Sequence, residues 1–163
     1  MTANHEIAKK INLTDERFLC FSLGHEVFSI PLLQVREVIA VPEFTQIPYT
    51  PNYFCGIMNL RGKVISVIDM RKKLSITSKG TEENSVIVCD LDNIIIGVLV
   101  DSVDSVINIE EEKILPKPDM QSSIFNDYIE GIVDIKGQII LLINLVKTLS
   151  IEDLVHLQKE GNG

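Results

Sequence analysis

Apolar residues in this chain cluster in runs of five to seven positions, parted by breaks of two or three residues carrying Gly, Asp or Asn. Such spacing predicts short β-strands joined by tight turns, since helices need longer periodic stretches. Phe18–Leu23, the break Gly24-His25 and Glu26–Ile30 predict one hairpin. Ser85–Cys89 and Ile94–Val100 predict a second about Leu91-Asp92-Asn93, and Gly56–Leu60 and Val64–Ile68 a third about Arg61-Gly62-Lys63. Leu32–Val41 differs, because Val35, Val38 and Ile39 fall at helical spacing with Arg36 and Glu37 between them, which predicts a short helical turn.

The segment Tyr53–Leu74 returns 75 positions later as Tyr128–Leu149, with eight of 22 positions identical. Most of the others exchange like for like, among them Asn59 for Asp134, Arg61 for Lys136 and Asp69 for Asn144. A weaker echo lies upstream, where Val35, Val38 and Ile39 match Val103, Val106 and Ile107, followed in each half by a proline, Pro48 or Pro116. Self-similarity of this density implies a duplicated structural unit. Each copy offers about five strands and one helical turn, and a sheet that small avoids bare edges by closing on itself. The expected architecture is therefore mainly β: two pseudo-repeated five-stranded barrels, over about 16–83 and 84–150. A single larger β-sandwich is the alternative.

Residues 1–15 read as a polar tail without the apolar segment of a secretory signal. Ser150 and Asp153 resemble a capping pair, and Ile151, Leu154, Val155 and Leu157 follow at helical spacing, so 151–163 is expected to form a short helix with a frayed end. The longest apolar run, Ile94–Val100, falls far short of the roughly 20 residues of a membrane span, so no direct membrane insertion is expected.

A net charge of −8, relieved only by Arg71-Lys72-Lys73, argues against nucleic acid as a partner. Cys20, Cys55 and Cys89 are odd in number and widely spaced in apolar surroundings, as reduced core thiols of a cytoplasmic protein would be. His5, His25 and His156 fall in the tail, a turn and the final helix, and none is placed as a general base. Asp90, Asp92, Asp101, Asp104 and Glu110-Glu111-Glu112 do not follow the spacing of a calcium loop. No zinc, P-loop or dinucleotide pattern is present, so neither metal, cofactor nor catalytic residue is expected. What remains is recognition. Arg61, in a tight turn, reads either as a solvated turn residue or as a binding residue, and Asp69 and Arg71 can pair from an extended segment as a structural contact.

The run Gly56-Ile57-Met58-Asn59-Leu60-Arg61-Gly62-Lys63-Val64-Ile65-Ser66-Val67-Ile68-Asp69-Met70-Arg71 resembles the signature segment of the CheW family, and the resemblance extends over about residues 16 to 157. It implies two five-stranded barrels of SH3-like topology, with Val35–Val38 as the first helical turn. It further implies a non-enzymatic cytoplasmic adaptor that couples the tips of methyl-accepting chemoreceptors to the histidine kinase CheA, in arrays at the inner face of the membrane. By the same resemblance Val35, Glu37, Gly56 and Arg61 match receptor-binding positions, and Val103 a kinase-binding position. Leu115 and Met120 bound a loop associated with contacts between array members. Two residues depart from the family pattern: Ser66, where proline is usual, and Leu115, where some relatives are basic. A CheW-like scaffold for another sensory output and a small-ligand sensor domain are the competing readings.

Overall fold

The predicted hairpins all form. In the computed structural model, which describes residues 16–77, 84–116 and 127–149, β1 (Arg17–Leu23) pairs with β2 (Glu26–Pro31), and β4 (Phe54–Leu60) with β5 (Lys63–Asp69). Likewise β6 (Ser85–Leu91) pairs with β7 (Ile94–Val100), and β9 (Ile129–Ile135) with β10 (Gln138–Ile143). The single strands β3 (Val35–Ala40) and β8 (Ser102–Asn108) complete the sheets, and one-turn helices α1 (Met70–Lys73) and α2 (Leu145–Thr148) follow β5 and β10.

Like-for-like exchanges between the repeats preserve single bonds. Arg61-Gly62 and Lys136-Gly137 both adopt positive φ, 51° and 85° in one turn and 51° and 86° in the other, the geometry that suits the twist of a tight hairpin. Asn59 Oδ1 accepts from the Gly62 N–H at 2.9 Å, and Asp134 Oδ1 from the Gly137 N–H at the same distance. Asp69 caps α1 by accepting from the Arg71 and Lys72 N–H groups, and Asn144 caps α2 by accepting from that of Lys147.

Two five-stranded sheets result, ordered β8-β1-β2-β10-β9 and β3-β6-β7-β5-β4. Taken as two repeats of five strands, the chain has exchanged its leading hairpins. β1–β2 of the first repeat sits with β8–β10 of the second, and β6–β7 of the second sits with β3–β5 of the first. A boundary near 83/84 thus separates the repeats in sequence and does not separate the sheets. The reason is reach. In an unexchanged sheet β3 would lie on the far side of β1, parallel to β2, and consecutive parallel strands need a return crossover as long as the strand, about 20 Å here. Only Leu32–Gln34 joins β2 to β3, spanning at most about 14 Å, and Asp101 alone joins β7 to β8. The chain has to enter the other sheet.

Alternate residues of the central strands feed different cores. Leu19, Phe21 and Leu23 of β1 and Ile87, Cys89 and Leu91 of β6 enter a core shared by both sheets. Cys20 belongs to a smaller core of the first sheet, with Val133, Ile140 and Leu142. Val86 and Val88 belong to the matching core of the second, with Met58, Ile65 and Val67. Each sheet therefore curls around a core of its own and packs on the other through the third. Strand pairing leaves β8 and β9, and β3 and β4, as the sheet ends.

The expected pair Asp69–Arg71 forms, at 3.2 Å, within a larger junction. Arg71 Nη1 also donates to Asp101 Oδ1 at 2.8 Å, and Asp101 Oδ2 accepts from the Gly24 N–H at 2.6 Å. The Asp101 N–H in turn donates to the Ser22 carbonyl. An ionic knot on the second sheet thereby holds the β1–β2 turn of the first.

Leu32–Val41 corrects its prediction. Only Leu32–Gln34 winds into a 3-10 turn, and Val35–Ala40 is the strand β3. A register shift between Val35 and Glu37 turns Val35 toward the shared core, while Glu37 and Ile39 face the second sheet's own core. A bulge in a β-branched strand thus imitates helical spacing. The predicted tail (1–15), the closing helix (151–163) and Met120 lie outside the described residues.

Candidate functional site

Glu37 and Arg61 meet at the open end of the second sheet. Glu37 projects from β3 opposite Val88, and Arg61 projects from the β4–β5 turn. β3 and β4 are the two ends of this sheet, so the pair bridges them where main-chain pairing does not. Arg61 Nη1 and Nη2 donate to Glu37 Oε1 and Oε2 at 2.7 and 2.8 Å, a bidentate fork that matches guanidinium to carboxylate. Arg61 keeps 73% of its side-chain surface in solvent and Glu37 26%, so the fork presents the arginine outward. The hydrogen bond from Arg61 holds the Glu37 carboxyl below its ordinary range, and Glu37 holds the guanidinium above its own.

Beneath this fork lies a cleft of about 380 Å³ floored by Leu60, Ile65, Val88 and Ile95 and rimmed by Arg36, Glu37, Arg61 and Lys63. Arg36 sits in the bulge of β3 and reaches Asp90 of β6 at 3.4 Å. Neither Arg36 nor Lys63 stands out in the sequence pattern. Aligning the second repeat on the first marks both, since Asp104 and Gln138 stand in their places.

The other expected site residues divide. Gly56 is buried, with φ 137°, and a Cβ there would come within 2.5 Å of the Thr45 carbonyl oxygen. Its missing side chain admits the 41–53 loop, which pairs through Thr45 and Ile57. Val35 and Val103 are equivalent in the repeats, and both are half-buried against the shared core. Val103 lies on β8, opposite Phe21, so it belongs to the first sheet and the other four to the second. Leu115 is exposed and bridges Ile132 through its backbone.

The thiols occupy separate cores. Burial raises Cys55 to about 12; burial, then the nearby Asp104 charge, raises Cys20 to about 11; and Cys89 is raised by burial alone. Thiols so shifted are poor nucleophiles at neutral pH. Among the described residues no three of His, Cys, Asp and Glu gather to hold a metal ion, and no helix is long and apolar enough to cross a membrane.

One charged fork over an apolar floor, carried on a doubled β framework, is the geometry of this site. Residues 17–153 match the CheW-like domain, and the chain belongs to that family. The chemotaxis protein CheW of Klebsiella aerogenes is 31% identical over 140 residues, covering 85% of this chain and 84% of the relative. A probable chemotaxis protein CheW of Rhizobium etli is 30% identical over 84% of this chain and 89% of its own length. The crystal structure of the scaffolding protein TtCheW from Thermoanaerobacter tengcongensis superposes with a TM-score of 0.77 at 32% identity, over 85% of this chain and 95% of that one.

Proposed function

We propose that this protein is a non-enzymatic cytoplasmic adaptor that couples chemoreceptor tips to the histidine kinase CheA in chemotaxis arrays. The observation that carries this reading is the match of 85% of the chain, at 31–32% identity, to proteins named chemotaxis protein CheW and scaffolding protein TtCheW. A duplicated framework also suits bridging, because one small chain then offers two related faces. The receptor contact is assigned to the second sheet, with Arg61 and Glu37 as the polar anchor and Val35 and Gly56 shaping the surface around them. The kinase contact is assigned to the first sheet at Val103, and contacts between array members to Leu115 and Met120.

Reconstitution tests the reading. Purified protein is mixed with receptor signalling fragments clustered on vesicles and with CheA, and kinase sedimentation and autophosphorylation are measured. Recruitment and activation of CheA only when this protein is present is the expected result. Kinase recruitment that is the same without it would overturn the proposal.

A further inference from the structure

Duplication allows the two sheet mouths to be compared position by position. Glu37 lies opposite Val88 in the second sheet, as Ser105 lies opposite Cys20 in the first. Arg36 contacts Asp90 in one, as Asp104 accepts from the Ser22 hydroxyl in the other. The floors are alike: Leu60, Ile65, Val88 and Ile95 correspond to Ile135, Ile140, Cys20 and Val27, and both sets belong to the small cores. The rims are not. Around the second sheet's mouth Arg36, Arg61 and Lys63 face Glu37 and Asp90, three cations against two carboxylates, with neutral Asn59 in the turn. At the equivalent positions of the first sheet Lys136 stands alone against Asp104 and Asp134, with Ser22, Ser105 and Gln138 neutral. The mouths therefore carry net +1 and net −1. Lys63 is exposed and has no ion-pair partner among the described residues, so its charge is available to a ligand.

We propose that the mouth of the second sheet selects an acidic, amphipathic segment of a partner protein, and that Arg36 and Lys63, which lack cationic counterparts in the first sheet, set this selectivity. The occupant follows from the chemistry. An open cleft with an apolar floor takes side chains projecting from one face of an element, and a cationic rim takes carboxylates spaced between them. In a chain of net charge −8, an acidic partner is repelled elsewhere and steered to this locally basic place. The inference rests on the adaptor reading and names the chemistry that its receptor-facing surface would recognise.

The test uses the full chain and two synthetic 14-residue peptides, one of leucine and glutamate at helical spacing and one with lysine for each glutamate. Backbone resonances are followed by NMR at low ionic strength. The glutamate peptide is expected to shift Lys63, Ile65, Val88 and Ile95, leave Lys136 and Gln138 unmoved, and bind more tightly than the lysine peptide. Lys63→Glu should weaken it about tenfold at unchanged melting temperature, because the rim passes from net positive to net negative. Asp104→Arg with Gln138→Lys should create a second site on the first sheet. Equal binding of both peptides, shifts at both mouths in the parent protein, or no effect of Lys63→Glu would overturn the inference. So would dodecanoate shifting these resonances while the glutamate peptide does not, since the site would then take a small anion. A protein that recruits CheA to receptors yet shows no peptide selectivity would sink this inference alone. Failed recruitment with selectivity intact would sink the adaptor reading instead.

Discussion

Arg71→Met would remove the cation shared by two carboxylates, Asp69 and Asp101, that are only 6% and 3% exposed. Methionine keeps most of the packing of the arginine stem, so the loss is chiefly electrostatic. Breaking a buried ion network by removing one member costs about 3–5 kcal/mol, because the charges left behind are neither paired nor hydrated. The low end applies here. Asp69 still accepts from the backbone N–H groups of residues 71 and 72, and Asp101 still accepts from that of Gly24. A loss near 3 kcal/mol should lower the melting temperature of a domain this size by roughly 6–12 °C. Circular dichroism melts at neutral pH measure it directly. Adding Asp101→Asn removes one stranded charge while keeping an acceptor for Gly24, and should restore about 1–2 kcal/mol. Amide exchange at Asp101, whose N–H crosses to Ser22, should accelerate in the single variant. A shift below about 2 °C for Arg71→Met, or a double variant less stable than the single, would refute the reasoning.

Further expectations concern residues of both sheets. The Ser66 hydroxyl is buried without a hydrogen-bond partner among the described residues, so Ser66→Ala should raise stability by about 1 kcal/mol, read from urea midpoints; a drop would show that the hydroxyl is satisfied. Gly56→Ala should cost more than about 2 kcal/mol, from backbone strain and the clash with Thr45, so any loss of partner binding would come with a lowered melt; binding lost at full stability would mark Gly56 as a direct contact. Val35→Lys and Val103→Lys should each lower stability by about 1–2 kcal/mol, the lysine stem retaining part of the packing. Val35→Lys should then lose receptor binding alone and Val103→Lys kinase binding alone in pull-downs, whereas joint loss of both partners from either would refute two separate faces. Stability should fall as pH rises from about 9 toward 11, because thiols ionise first in the unfolded chain while Cys20 is held to about 11 and Cys55 to about 12 in the folded one; flat urea midpoints across that range would refute it.

Turn chemistry and the repeat make the strands legible in the sequence, since Arg61-Gly62 and Lys136-Gly137 tolerate few arrangements other than a tight hairpin. The exchange of hairpins is not legible from pattern, because β1 and β6 are equivalent and either could pair with β3 or β8. It is legible from length: three residues after Pro31 and one after Val100 are too few to return along a parallel strand. Helical spacing over Val35–Val38 misleads because a bulge shifts register without leaving a mark in composition. Of the site, Arg61 and Glu37 both stand out in the signature segment and the strand before it, but their bidentate pairing depends on the curl that brings β3 and β4 together, and curl is a property of the whole sheet. Arg36 and Lys63 escape a reading by pattern because charged residues on an exposed strand position or beside a turn usually do no more than meet solvent.

The exchanged hairpins also impose an order on synthesis. The second sheet is contiguous from Val35 to Val100, so its last strand is synthesised before β8 to β10. The first hairpin, although translated earliest, has no neighbours until β8 and β10 arrive, so its two bare edges must be kept from other nascent chains in the interval. A premature stop just before Gln138 would leave β2 without its parallel neighbour, turning the loss of one late strand into an aggregation hazard at the first hairpin.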